Sequence, residues 1–184
     1  MAATQTHVEI IYQNIVDQNV DYTLCLEDDT IVPSNFKQYV KDMYESLVTK
    51  QLDGAVLLNY HVHTPINLKE LEAVLTVQET TIYKLPEQTK VGSGAAYIMS
   101  NQGAKSQVRS QSPIDRIGDW WHTHPDLNIY IVYPQVIETG KFSSTLGYQT
   151  SWAFRGLSFF IPKKIKEYIR IRKSKALSTQ NIKI

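Results

Sequence analysis

Three consecutive carboxylates, Glu27, Asp28 and Asp29, come directly after the short apolar run 22–26. Side chains two residues apart on an extended segment point the same way, so Glu27 and Asp29 are expected to share a face. Charges this close repel, and at least one pKa should be raised unless a cation lies between them. Carboxylate oxygens are ligands of hard divalent ions such as Mg²⁺ and Mn²⁺, which bridge carboxylates to diphosphates. The alternative is a solvated acidic turn that caps the next helix.

The acidic residues follow a predicted strand, in a chain where apolar runs alternate with segments of helical periodicity. The apolar runs predict strands over 22–26, 55–58, 80–85, 97–99 and 129–133. Helical spacing predicts helices over 7–19, from 36 to about 47, near 68–75 and from 101 to about 109, the last capped by Ser100. This alternation predicts an α/β fold with a mostly parallel sheet. Ligands of such sheets bind outside the carboxyl ends of the strands, where the three acids lie.

The composition is that of a chain that can bury a core. Of its 184 residues, 42% are hydrophobic, and 19 basic residues face 18 acidic ones. This balance gives no indication of a nucleic-acid partner. The single cysteine, Cys25, excludes an intramolecular disulfide framework and is expected in the core of its strand. No apolar run is long enough to predict a membrane-spanning helix.

The basic residues gather near the carboxyl terminus. Residues 163–184 contain eight basic residues and one acidic residue, a net charge of +7, which leaves −6 for residues 1–162. We therefore divide the chain into a folded domain, residues 1–162, and a basic tail, residues 163–184. Ile165, Tyr168 and Ile169 lie at helical spacing in this tail, a pattern that suits peripheral contact with an anionic membrane. A solvated terminal segment is the alternative.

Six segments, in order, resemble glycosyltransferase family 25, which includes bacterial lipopolysaccharide galactosyltransferases and eukaryotic collagen galactosyltransferases. The acidic segment YTLCLEDDTIVPSNF, residues 22–36, is similar to the family's "LEDD…F" segment. The other similar segments are LDGAVLLN at 52–59, GSGAAYIMSNQGAKSQV at 92–108, PIDRIGDWW at 113–121, IYIVYPQVIE at 129–138 and FSSTLG at 142–147. The resemblance covers most of the folded domain.

The resemblance implies an A-type glycosyltransferase fold, a Rossmann-like mixed sheet flanked by helices. It implies transfer of a sugar from a nucleotide-sugar donor, usually with inversion. Glu27 and Asp29 match the family's acid-x-acid metal motif, and Asp28 lies between them beside the donor. A divalent metal, Mn²⁺ or Mg²⁺, would neutralise the donor diphosphate and assist departure of the nucleotide.

An inverting transfer also needs a general base near the acceptor hydroxyl. Asp115 matches the acid of the family's "P-V-D" motif and is the first candidate, and Asp119, four residues on, is the second. A helix N-cap after Pro113 is the alternative for Asp115.

The types and positions of five residues suggest contact with the two substrates, and for His7 the suggestion comes from the family resemblance. Gly94 and His7 are expected beside the donor, Gly94 because it permits close backbone approach. Tyr97, Trp120 and Trp121 are candidates for stacking on an acceptor sugar. The alternatives are tight packing of the turn at Gly94, a core position for Tyr97, and one of the adjacent tryptophans packed inward.

Family members usually begin with a strand and loop ahead of the helix predicted at 7–19, whereas this sequence starts almost directly at that helix. We therefore expect the first βα unit to be absent, which would expose an apolar edge beside the strand at 22–26 and weaken nucleotide binding.

Together these observations predict a metal-assisted, inverting hexosyltransferase. It would move a hexose, by resemblance galactose from a UDP-sugar, to a lipopolysaccharide or other glycan acceptor. It would lie in the cytoplasm, with the basic tail at the inner face of the plasma membrane. The alternative is a non-catalytic remnant that keeps the fold and binds a glycan or a partner enzyme. A metal-dependent phosphoesterase using the same carboxylates is a third interpretation.

Overall fold

Strands dominate the part of the chain described by the structure, a computed structural model covering residues 9, 11–13, 20–62, 65–92, 94–110, 120–122, 126–140 and 182–183. The helices are α1 (Phe36–Lys50) and α2 (Asn101–Ser110), and Leu68–Glu70 forms a 3₁₀ turn. The strands are β1 (Tyr22–Leu26), β2 (Thr30–Ile31), β3 (Ala55–Leu57), β4 (His61–Val62), β5 (Ile66–Asn67), β6 (Glu72–Val77), β7 (Thr80–Lys84), β8 (Lys90–Gly92), β9 (Ala96–Ser100), β10 (Trp120–His122), β11 (Ile129–Tyr133), β12 (Glu138–Thr139) and β13 (Ile182–Lys183).

The main sheet has six strands in the order β1-β9-β3-β11-β7-β6. Only its β3–β11 pair is parallel, and the other pairs are antiparallel. The prediction of a mixed sheet flanked by helices is confirmed, whereas the expectation of a mostly parallel sheet is wrong. The reason is that β9 runs back between β1 and β3, and that β7 returns through a tight hairpin from β6.

Helix α1 packs on one face of the sheet. Its buried residues recur every three or four positions, as an amphipathic helix requires; they are Phe36, Tyr39, Met43 and Leu47. The helix ends where Gln51 adopts a left-handed conformation with φ of 49°. The Tyr22 hydroxyl then donates to the carbonyls of Leu47 and Leu52, at 3.1 and 3.0 Å, and joins the helix end to β1.

The opposite face carries a second apolar cluster. Cys25, Tyr97 and Met99 lie in it with side chains of β3 and β11. Cys25 is only 7% exposed, so its predicted core position is confirmed. Of the helix predicted at 7–19, residues 9 and 11–13 are described and helical, and Ile11 is buried in this same cluster.

The amino edge of the sheet, which we define by Asp21, Gly54, Ser100, Asn101 and Asn128, is closed by hydrogen bonds of short side chains. The Ser100 hydroxyl accepts from the amides of Gly54 and Gly103, at 3.0 and 2.9 Å, which confirms its predicted capping of α2. Gly54 has φ of +132°, and a Cβ there would lie 2.2 Å from the Asn128 carbonyl oxygen. Only glycine fits this position.

The helix predicted near 68–75 is wrong. The 3₁₀ turn Leu68–Glu70 is followed directly by β6 (Glu72–Val77), which pairs antiparallel with β7. Apolar residues at 71, 74 and 75 fit helical spacing, but the hairpin to β7 provides hydrogen-bond partners that favour an extended backbone.

Short pairings connect the loops. Strands β10, β8 and β4 form a three-stranded sheet, and β2 pairs with β12. Strand β13, within the basic tail, pairs in parallel with β5. The rest of the tail lies outside the described residues, as does its predicted membrane-binding pattern.

Strand β1 lies at the end of the main sheet, and no described strand pairs with its outer side. Its residues Leu24 and Leu26 are 37% and 42% exposed. A groove of about 770 Å³ runs between β1 and α1, with Tyr22, Leu24 and Val40 in its lining and Lys37 and Lys41 beside them. Among the described residues, this side of β1 therefore forms a partly exposed apolar edge.

Candidate functional site

The carboxyl ends of three strands meet at one edge of the main sheet. Strand β3 is parallel to β11, and it runs in the same direction as β1 because both are antiparallel to β9. The segments that follow these strands, together with the start of β9, form what we call the carboxyl edge: residues 27–29, 58–60, 94–95 and 134–137. The ligand-binding edge expected for such a sheet thus contains the three acids.

The strand register places the acids relative to their neighbours. The Glu27 amide donates to the Ala95 carbonyl at 2.8 Å, and the Asn59 amide donates to the next carbonyl, that of Ala96, at 3.3 Å. Glu27 and Asn59 therefore lie on either side of the start of β9, about two strand spacings or 10 Å apart along the edge. Gly94, which precedes Ala95, is buried, and its expected contact with the donor remains a prediction.

The acidic turn, residues 27–29, is closed by Thr30. Its hydroxyl and its amide both donate to the Glu27 carbonyl, at 2.8 and 3.2 Å. Glu27 and Asp29 are half-buried, and Asp28 is exposed. The turn thus holds three carboxylates on a short, hydrogen-bonded loop.

Asp29 has a buried carboxylate oxygen and a raised pKa. Its Oδ1 atom is inaccessible to solvent and has no hydrogen-bond partner. Burial raises the pKa of this carboxyl, and the charges of Glu27 and then Asp28 raise it further. The expectation that one acid of the triplet would have a raised pKa is confirmed. A buried carboxylate oxygen without a partner costs free energy unless a ligand binds it.

Two further polar residues of the carboxyl edge were not predicted. Asn59 Nδ2 donates to the Ile137 carbonyl at 2.8 Å and to Gln135 Oε1 at 3.4 Å. Gln135 Nε2 in turn donates to the Tyr60 carbonyl at 2.8 Å. The available signal was that Asn59 ends the apolar run 55–58 and that Gln135 follows the run 129–133 and a proline. Both are polar residues just past a strand.

The buried Tyr60 hydroxyl, like Asp29 Oδ1, has no hydrogen-bond partner. The ring is 2% exposed, and burial raises its pKa. Among the residues the structure describes, the unpartnered buried side-chain atoms therefore follow β1 and β3, both on the carboxyl edge.

Two of the predicted acceptor-binding residues are in the core. Tyr97 and Trp121 are 0% and 2% exposed, and their rings pack edge to face with centroids 4.8 Å apart. These rings have no free face for a sugar, so the core alternative replaces the predicted acceptor role. The reason is that β10 pairs with β8 and directs Trp121 into the cluster containing Tyr97. The backbone of Trp120 lies on β10, and its side chain lies outside the described residues, as do His7, Asp115 and Asp119.

The donor set at the carboxyl edge suits a hard divalent cation. Within the described ranges, no three histidine, cysteine, aspartate or glutamate side chains cluster closely enough to hold a metal ion on their own. Mg²⁺ sites in phosphate-transferring enzymes commonly use one or two carboxylates and take the remaining ligands from substrate phosphates and water. Glu27 and Asp29 fit a site of that kind, because Asp29 Oδ1 lacks any other partner.

The fold and this edge define an α/β protein with polar residues, three of them acidic, just past the carboxyl ends of its strands. The family profile described as glycosyltransferase family 25 (LPS biosynthesis protein) matches residues 4–117. The chain belongs to this glycosyltransferase family, as its sequence resemblance indicated, and the mixed sheet is consistent with the A-type glycosyltransferase fold. A search of curated proteins returned no match. None of the described helices is both long and apolar enough to span a membrane.

Proposed function

We propose that the chain is a metal-assisted, inverting hexosyltransferase that transfers galactose from a UDP-sugar to a lipopolysaccharide or other glycan acceptor. The observation that carries this proposal is the unpartnered, buried Asp29 Oδ1 within an acid triplet at the carboxyl edge of a family 25 domain. An anionic atom kept without a partner is best explained by a ligand of opposite charge.

The residues of this chain would share the work as follows. Glu27 and Asp29 would hold Mn²⁺ or Mg²⁺, and the ion would supply positive charge to the donor diphosphate and stabilise the departing UDP. Gly94, with no side chain, would let the donor approach the start of β9, with His7 and Asp28 beside it.

The chemical step requires a base outside the described residues. Asp115, or Asp119, would accept the proton of the acceptor hydroxyl. The hydroxyl oxygen would form a bond to the anomeric carbon as the bond from that carbon to the diphosphate oxygen breaks, with inversion. UDP leaves with the bonding electron pair. Trp120 remains the candidate for an acceptor platform, since Trp121 and Tyr97 are in the core.

Isothermal titration of UDP into the purified chain, with and without Mn²⁺, tests the donor site. We expect Mn²⁺-dependent binding that Asp29→Ala abolishes. Asp53→Asn is the matched control, because Asp53 is an exposed carboxylate at the opposite end of the same strands. If the folded wild-type chain does not bind UDP with Mn²⁺, the transferase proposal fails. The non-catalytic remnant that binds a glycan or a partner enzyme then becomes the better hypothesis.

We further propose a cytoplasmic location, with peripheral contact between the basic tail and an anionic membrane. The support is the net charge of +7 in residues 163–184. Sedimentation with phosphatidylcholine vesicles, with and without phosphatidylglycerol, measures it. Binding should require phosphatidylglycerol, decrease with salt, and weaken when Lys163, Lys164 and Lys166 are replaced by glutamate. Equal binding by the triple variant would contradict the proposal.

A further inference from the structure

The hydrogen bonds within the acidic turn, residues 27–29, are not enough to hold Asp29 in a fixed position for a cation. Thr30 closes the turn onto the Glu27 carbonyl, and the Glu27 amide bonds to the Ala95 carbonyl of the sheet, but none of these bonds involves the backbone of Asp29. Three adjacent carboxylates also repel one another. A cation site built on this turn therefore needs a second attachment.

That attachment is the segment after β11. Strand β2 pairs with β12, Thr139 opposite Thr30 and Glu138 opposite Ile31. The Gly140 amide then donates to the Asp29 carbonyl, so the backbone of Asp29 is held directly by this segment. A two-residue strand pair is only marginally stable by itself, so the position of β12 must be set elsewhere.

Asn59 sets it. The Asn59 side chain, at the end of β3, donates to the Ile137 carbonyl at 2.8 Å, one residue before β12 begins. The Leu58 carbonyl accepts from the amides of Val136 and Ile137, at 3.3 and 3.4 Å, and so joins the same two segments through the backbone. The connection from β3 to Asp29 thus runs through Asn59, Ile137, β12 and Gly140.

The geometry points to Asn59 as a positioning residue for the cation site, acting through β12 on the backbone of Asp29. This inference rests on the proposed function, because it assumes that Glu27 and Asp29 bind a divalent cation. Asn59 itself lies about two strand spacings from Glu27, so it is assigned no direct contact with the ion.

The test compares four proteins: the wild type, Asp29→Ala, Asn59→Leu and Asn128→Leu. Leucine has nearly the shape of asparagine but cannot donate. Asn128 is the matched control because its side-chain amide also bridges two loops, donating to the Asp53 carbonyl at 3.5 Å, but at the amino edge of the same strands. The Mn²⁺ dissociation constant in the presence of UDP is measured from the electron paramagnetic resonance signal of free Mn²⁺. Amide hydrogen exchange of Gly140 is followed by NMR.

We expect Asn59→Leu to weaken Mn²⁺ binding about tenfold, the usual effect of losing an outer hydrogen bond at a metal site. Exchange at the Gly140 amide should be faster in the same variant. Asn128→Leu should leave both quantities close to those of the wild type, even if its stability falls. If Asn59→Leu does not fold, Asn59→Ser, whose shorter side chain also loses the bond to Ile137, is measured in the same way.

The outcomes separate the two proposals. Wild-type Mn²⁺ binding that Asp29→Ala removes but Asn59→Leu leaves unchanged overturns the role of Asn59 and preserves the proposed cation site. Equal weakening by Asn59→Leu and Asn128→Leu also overturns it, since the effect would then follow stability alone. A wild-type chain that does not bind Mn²⁺ overturns the proposed function together with this inference.

Discussion

The amino edge and the carboxyl edge of the main sheet are both lined by short polar side chains, but they differ in what those side chains bind. At the amino edge, the Ser100 hydroxyl and the Asn101 and Asn128 amides each form hydrogen bonds with backbone groups of neighbouring loops. At the carboxyl edge, the Asn59 and Gln135 side chains also bond to backbone carbonyls. There, however, Asp29 Oδ1 and the Tyr60 hydroxyl are buried without hydrogen-bond partners.

This difference indicates that the amino edge contributes to the stability of the fold, whereas the carboxyl edge is available for a ligand. Satisfied polar groups stabilise the amino edge, whereas each unpartnered buried group lowers stability by about 1–3 kcal/mol. Substitutions at the amino edge should therefore affect stability, and substitutions at the carboxyl edge should affect binding.

The largest expected effect is at the amino edge. Gly54→Ala would place a Cβ 2.2 Å from the Asn128 carbonyl oxygen at φ of +132°. Steric overlap and backbone strain should together lower the free energy of unfolding by more than about 3 kcal/mol. Urea denaturation measures this loss, with Asp53→Asn as a neighbouring control that should change little. A stable Gly54→Ala protein would show that this close contact is not essential.

At the carboxyl edge, a substitution is expected to increase stability and to weaken ligand binding. Asp29→Asn should raise the free energy of unfolding by about 0.5–1 kcal/mol, because it removes one of three repelling charges. The same variant should lose Mn²⁺-dependent UDP binding by about a hundredfold. Thermal unfolding and UDP titration are measured on one preparation. Lower stability in Asp29→Asn would show that the acidic turn contributes to folding after all, and would break the comparison.

The pH dependence of the free energy of unfolding tests the contribution of a buried core residue, Tyr39, which belongs to neither edge. Burial raises the pKa of Tyr39 from 10 to about 12, with its hydroxyl bonded to that of Thr80 at 2.9 Å. Because the folded pKa exceeds the unfolded one, the contribution is complete below about pH 10 and is lost as pH rises towards 12. The loss should reach about 2 kcal/mol. Tyr39→Phe should remove only the Tyr39 part of this decline, because burial also raises the pKa of other tyrosines, including Tyr22 and Tyr60. An unchanged dependence of the free energy of unfolding on pH in this variant would contradict the assignment.

The smallest expected loss of stability is that of a single helix cap. Ser100→Ala removes the acceptor for the amides of Gly54 and Gly103 and should lower the free energy of unfolding by about 1–2 kcal/mol. UDP binding with Mn²⁺ should be unaffected, since Ser100 lies at the amino edge. A change in UDP affinity would indicate that the two edges are coupled.

Local signals in the sequence identify the elements but not their partners. The apolar runs correctly predict β1, β7, β9 and β11, and the stripe of Phe36, Tyr39, Met43 and Leu47 predicts α1. Strand direction cannot be predicted from such local signals, because the antiparallel course of β9 depends on its pairing with β1, 70 or more residues earlier in the chain. The helical spacing of apolar residues predicts the wrong element for β6 for the same reason, because the hydrogen bonds of β6 to its hairpin partner β7 decide its conformation.

The candidate site divides in the same way. The acid triplet is visible as consecutive charges after an apolar run, and their proximity predicts a raised pKa. Burial, which is the first cause of the raised pKa of Asp29, is known only from the structure. The network of Asn59 is invisible in the sequence, because its partners Gln135 and Ile137 lie 76 and 78 residues away. Tyr97 and Trp121 were misassigned because an aromatic residue has the same composition signal in a core as on a sugar platform.

The outer side of β1, with which no strand pairs in the part of the chain that the structure describes, has a practical consequence for work with the purified protein. Because the odd-numbered residues of β1 bond to β9, Tyr22, Leu24 and Leu26 direct their backbone donors and acceptors outward, beside partly exposed leucine side chains. Such an edge templates strand addition between molecules, and turbidity should therefore rise steeply with protein concentration. Lys37 and Lys41, next to the groove, would oppose this association by charge, so that low-salt buffer should extend the shelf life of concentrated stocks.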